Sequence, residues 1–65
     1  MPTNQQQEQF KLVVDDIVYE TPGALLVRVN AQDVWLPFSQ IHSIHHESPP
    51  YVMVTPWIAK KKGLL

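Results

Sequence analysis

The chain has 65 residues, a formal net charge of −1, 45% apolar residues and no cysteine. That length holds one domain at most, and the apolar content is that of a folded domain rather than a disordered chain. The lack of cysteine excludes disulfides and thiolate zinc sites, the short apolar runs exclude a bilayer-spanning helix, and the near-neutral charge argues against binding nucleic acid by bulk phosphate neutralisation.

Residues 1–9, MPTNQQQEQ, are polar and glutamine-rich and read as a disordered arm, with residues 10–65 forming a single small β-domain. The arm carries Glu8 and no basic side chain, so it is not a secretion signal. Phe10 to Thr21 is the first strand region. It is rich in β-branched and aromatic residues but interrupted by Asp15 and Asp16, which predicts a bulge or a break into two short strands. Glu20-Thr21-Pro22-Gly23 reads as a type II turn with Gly23 supplying the positive φ.

Ala24 to Val29 alternates, placing Leu25, Val27 and Val29 toward a core and Arg28 toward water. Asn30 to Asp33 reads as a four-residue connector, since Asn and Asp tolerate turn geometry. Val34-Trp35-Leu36 is the next strand, ended or held at an edge by Pro37. With Val34 and Leu36 inward, Trp35 faces out or covers the C-terminal helix. Ser39 can cap a single turn through Ile41, residues 41–46 suit a short strand, and Ser48-Pro49-Pro50 suits a stiff, extended loop. Tyr51 to Val54 is the last strand.

Thr55 then suits a helix N-cap, Pro56 the first helical position, Lys60 to Lys62 the negative end of the helix dipole, and Gly63 the residue just past it. A helix this short needs tertiary support, expected from Trp57 and Ile58 docking on the sheet. The expected fold is therefore mainly β: a small antiparallel four- to five-stranded SH3-like or OB-like barrel or roll with a short C-terminal helix. Closure would hide the edges that a flat sheet exposes.

No constellation of catalytic type stands out. Asp15 and Asp16, adjacent on a strand, point to opposite faces and do not converge. Ser39 with a histidine and an aspartate lacks the glycine pattern of a nucleophile elbow. His42, His45 and His46 cluster, but Glu47 is the only nearby carboxylate, so surface histidines, or an interface that charges with falling pH, are favoured over a metal site. No catalytic residue, metal or cofactor is expected.

Two segments, ALLVRVNAQDVWLPFSQI (Ala24 to Ile41) and VMVTPWIAKKKGL (Val52 to Leu64), resemble a loose group of very short proteins encoded by bacteriophages, prophages and plasmids. In that group the position of Phe38 is often lysine, so this chain departs from the pattern by adding an apolar ring there. The resemblance implies a mobile-element origin, a cytoplasmic location in a bacterial host, and stoichiometric action on a host or phage complex. Anti-CRISPR proteins are similar in size and in lacking an active site.

The function expected is non-enzymatic: protein–protein contact that inhibits a host defence complex. The residues assigned to contact are Trp35, Phe38, Arg28, His42, Tyr51, Lys60, Lys61 and Lys62. Aromatics are enriched at interfaces, and aromatics with lysines also suit single-stranded nucleic acid. An accessory role in phage replication or recombination is the alternative. A homodimer is expected to cover an open edge, and no membrane partner is expected.

Overall fold

The computed structural model describes residues 8–65. Glu8 and Gln9 are exposed and precede the first strand, and the rest of the expected arm lies outside the described residues. Six strands follow in order: β1 (Phe10–Val13), β2 (Asp16–Glu20), β3 (Ala24–Val29), β4 (Gln32–Pro37), β5 (Ile41–His45) and β6 (Tyr51–Val54). A 3-10 turn, Phe38–Gln40, links β4 to β5, and helix α1 (Pro56–Lys61) closes the chain. No helix of the described residues is long and apolar enough to cross a membrane.

All strand pairings are antiparallel, in two sheets of order β1-β6-β5 and β2-β3-β4. The expected mainly-β architecture is present, with more strands than expected and without closure into a barrel. The Asp15-Asp16 interruption explains the extra strand. Val14 donates its N–H to the Pro50 carbonyl at 3.1 Å, whereas Asp15 donates to the Arg28 carbonyl at 2.7 Å. The chain thus leaves one sheet and joins the other between these two residues. The edges of the second sheet are blunted locally: β2 carries a register shift between Ile17 and Tyr19, and β4 ends in Pro37.

One apolar cluster joins the inner faces of both sheets and the helix. Leu12 comes from β1 and Val14 from the residue just after it, Leu25, Val27 and Val29 from β3, Leu36 from β4, Val52 and Val54 from β6, and Ile58 and Ala59 from α1. Alternation therefore assigns the buried face of β3 and β4 correctly, with Val34 half-buried at its margin.

Turn chemistry departs from expectation at two places. Gly23 is not left-handed. The loop is held instead by Thr21, whose N–H and hydroxyl both donate to the Ala24 carbonyl and whose Oγ accepts the Ala24 N–H at 3.1 Å. The connector after β3 is two residues long, not four: Val29 pairs with Gln32, and Asn30 and Ala31 both have positive φ, 53° and 68°. That is the mirror-image turn whose twist matches a tight hairpin, and it favours Asn followed by Gly.

Ala31 pays for its Cβ in this left-handed position, while its N–H donates to Asp15 Oδ2 at 3.2 Å. Ala31→Gly is expected to stabilise the fold by about 0.5–1 kcal/mol, glycine's larger chain entropy offsetting part of the relief. A rise of a few degrees in thermal midpoint by circular dichroism checks this; a fall would show that the turn is not strained.

The helix signals agree with the structure at both ends. Thr55 Oγ1 accepts the Ile58 N–H at 3.2 Å, and Pro56 occupies the first turn. At the other end Gly63 has φ 74°, Leu64 donates to the Ala59 carbonyl at 2.7 Å, and Gly63 donates to Lys60 at 3.1 Å. This is a Schellman closure, with Leu64 packed against the core.

Docking is by Ile58 and Ala59, not by Trp57, which is 58% exposed. On so short a helix only one narrow face meets the sheet. Thr55 Oγ1 also donates to Gln40 Oε1 at 2.7 Å, and its N–H donates to the Gln40 carbonyl, tying the helix start to the entrance of β5. Thr55→Ala is expected to cost about 1–2 kcal/mol in denaturant unfolding, with Thr55→Ser recovering most of it. Equal losses in the two variants would exclude the hydroxyl as the cause.

Two further local expectations are corrected. The 3-10 turn begins at Phe38 after Pro37 and has no side-chain cap, so Ser39 lies within it, exposed. Residues 47–49 bend rather than run extended, and the Ser48–Pro49 peptide bond is cis.

Candidate functional site

The register of β2, β3 and β4 builds a defined outer face. Tyr19 pairs with Leu26 and Leu26 with Trp35, so these three side chains form one row across the sheet. One pairing step away along β3 on the same face, Asp16 pairs with Arg28 and Arg28 with Asp33. Directly opposed residues share a face with Cβ atoms about 4.5–5.5 Å apart, and successive rows on one face lie roughly 6.6 Å apart. Tyr19 is 62% exposed and Trp35 44%, with Leu26 half-buried between them.

Arg28 is committed within this face. Its Nε donates to Asp33 Oδ1 at 2.9 Å, and Nη2 lies 3.5 Å from Oδ2. The guanidinium pKa is raised above its ordinary value, first by that hydrogen bond and the charge of Asp33, then to a lesser degree by Asp16 and Asp15. Three carboxylates therefore surround one cation, and the row beside the aromatic pair is net acidic. In an exposed setting such a pair adds little to stability.

The other sheet has its own polar outer face. On β6, Tyr51 stacks on His45 of β5, with ring centroids 4.2 Å apart and 9° between planes, and Lys11 Nζ lies 4.4 Å from the Tyr51 centroid. Ser43 Oγ is 2.8 Å from His45 Nε2, and Glu47 Oε2 is 3.8 Å from His45 Nδ1. Ser43 and His45 meet because alternate strand residues share a side. The order serine–histidine–carboxylate resembles a triad, but 3.8 Å is too long for the hydrogen bond that would orient the imidazole. The contacts brace the Tyr51 ring.

The three histidines do not converge. His42 sits exposed at a register shift between Ile41 and Ser43, His45 lies in the stack, and His46 is exposed beyond the strand. Among the described residues no group of three or more His, Asp or Glu side chains is placed to hold a metal ion. His46 lines a cleft of about 180 Å³ with Asp16, Ile17, Glu47 and Pro50. That is below the roughly 300 Å³ at which small-molecule pockets begin.

The eight residues assigned to contact from the sequence thus fall in separate places. Trp35 and Arg28 share the outer face of β2-β3-β4. Tyr51 and His42 belong to the other sheet. Lys60, Lys61 and Lys62 line the exposed end of the helix, where Lys61 Nζ lies 5.4 Å from the Trp57 centroid. Phe38 is half-buried and packs against the core, because the 3-10 turn folds its ring inward rather than leaving it as an exposed apolar ring.

Sequence reasoning missed Tyr19, Leu26, Asp16 and Asp33. The signal available for Leu26 and Asp33 was the Asn30-Ala31 turn: a two-residue connector places Trp35 against Leu26, whereas a four-residue one would place it against Arg28. Asp16 and Tyr19 depend on the pairing of β2 with β3, with its shift between Ile17 and Tyr19, which no local pattern announces. Comparison with family models, curated proteins and solved structures finds no match.

Proposed function

We propose that this chain is a non-enzymatic binding module that docks a protein partner on the outer face of β2-β3-β4. The observation that carries this reading is the aligned Tyr19–Leu26–Trp35 row, with both rings exposed on a sheet whose opposite face is the core. Large aromatics held rigid by a sheet and flanked by charged side chains have the anatomy of an interface: apolar centre, polar rim. The resemblance to short mobile-element proteins supports a partner in a host or phage complex, inhibited by occupation of its surface, as a defence complex would be.

Single-stranded nucleic acid is the competing ligand. The pairings of Lys11 with Tyr51 and of Lys61 with Trp57 give it stacking and charge, but on different elements. The test is affinity capture from bacterial lysate with the wild-type chain and with Trp35→Ala and Tyr19→Ala, each checked for an unchanged thermal midpoint. A protein recovered by the wild type and lost with both variants is expected. Recovery of nucleic acid alone, displaced by salt and indifferent to both variants, would sink the proposal.

A further inference from the structure

We infer that the partner presents a basic segment, with a lysine or arginine spaced about two extended residues from an apolar side chain; this rests on the reading of the aromatic row as a docking face. The argument is charge complementarity. Beside Tyr19, Leu26 and Trp35 lie Asp16 and Asp33, against the single cation Arg28. Arg28 is already occupied by Asp33, and Asp15 Oδ2 accepts the Ala31 N–H, so the net acidic charge of this face is carried by the exposed Asp16.

The two rows lie roughly 6.6 Å apart, which is the step between residues i and i+2 of an extended chain. An apolar side chain resting against Tyr19, on the β2 side of Leu26, would therefore place its second neighbour over Asp16, one row away on the same strand. A lysine or arginine there gains a charge-assisted hydrogen bond to the Asp16 carboxylate. Phosphate is disfavoured on this face by the same carboxylates, which separates it from the lysine-bearing helix end.

The test uses the full chain carrying Trp57→Phe, which leaves Trp35 as the sole tryptophan of the two in the sequence. Trp35 fluorescence is followed on titration with a peptide of tandem Arg-Ser-Leu-Ser units, with its Glu-Ser-Leu-Ser counterpart, and with an oligothymidylate. Saturable perturbation by the arginine peptide alone is expected, weakened by salt and by about tenfold or more in Asp16→Lys, since like-charge juxtaposition costs several kcal/mol.

Response to the glutamate peptide alone would overturn the charge inference while leaving a protein-docking face. Response to oligothymidylate alone would overturn both. A shift in Trp35 emission that follows the chain's own concentration, with a doubled mass in sedimentation, would show that a second copy is the occupant and would also overturn the inference. No response to any ligand would overturn it as well. Asp16 is exposed, so Asp16→Lys should keep the wild-type thermal midpoint within a few degrees; Asp16→Asn, a smaller change, should weaken the arginine peptide in the same direction.

Discussion

Replacing Leu36 with alanine is expected to lower the thermal midpoint by about 10 °C or more, or to abolish the cooperative transition. Leu36 is fully buried on β4, opposite the equally buried Leu25, and the cluster around it joins both sheets and the helix. Truncating a buried leucine costs about 2–5 kcal/mol, the lost transfer energy plus the cavity that remains. A domain of this size has only about 3–5 kcal/mol to lose, and each kcal/mol moves the midpoint by about 4–8 °C. With no disulfide to limit the unfolded chain, little offsets the cavity. Thermal circular dichroism of Leu36→Ala beside Trp57→Ala decides it. The exposed Trp57 should change the midpoint by no more than surface substitutions do, about 0.5 kcal/mol. A Leu36→Ala midpoint within about two degrees of wild type would place the core elsewhere.

Trp35→Ala is expected to have the opposite profile, a large loss of partner affinity with a nearly unchanged fold. Central aromatics of an interface cost about 2 kcal/mol or more on truncation, a loss of about thirtyfold in affinity. At 44% exposure, Trp35 gives the monomer far less than Leu36 does. Phe38→Ala supplies the control. Its ring packs against the core, so stability should fall while the affinity of the remaining folded protein stays near wild type. Calorimetric titration with the captured partner separates the two. Equal affinity losses for Trp35→Ala and Phe38→Ala would move the docking surface toward the 3-10 turn and away from the aromatic row.

The proposed docking face also has a physical ground in the size of the chain. This small chain has a cleft of about 180 Å³ beside Asp16, Ile17, His46, Glu47 and Pro50, below the roughly 300 Å³ at which small-molecule pockets begin. What it can offer is a stiff surface. Sheet register holds Tyr19, Leu26 and Trp35 in line without the ordering cost that a loop would incur on binding. On the proposed reading, the acidic row beside them would add selectivity and faster encounter more than raw affinity.

Much of the scaffold was legible in the residues. Alternation with period two placed Leu25, Val27, Val29 and Leu36 inward, because an amphipathic strand can face only one way against a core. Thr55, Pro56 and Gly63 marked the helix because each meets a backbone requirement that few residues satisfy: an N–H acceptor, a missing donor and a left-handed φ. These requirements are local, so the sequence by itself determined them.

Tertiary structure decided the rest. The length of the Asn30-Ala31 turn moved the hairpin register by a step that keeps every side chain on its own face, so the core assignment survived while the neighbours of Trp35 changed from Arg28 to Leu26. The exchange of sheets at Val14–Asp15 brought Asp16 and Tyr19 alongside β3, and the strands form two sheets rather than a closed barrel. Packing also sent Phe38 inward and left Trp57 in solvent, two rings of comparable hydrophobicity that no periodicity distinguishes. The physical reason is the range of the interactions. Propensity and capping act over a few residues, whereas which strands pair, and in which register, is settled by the burial of one cluster shared by both sheets and the helix.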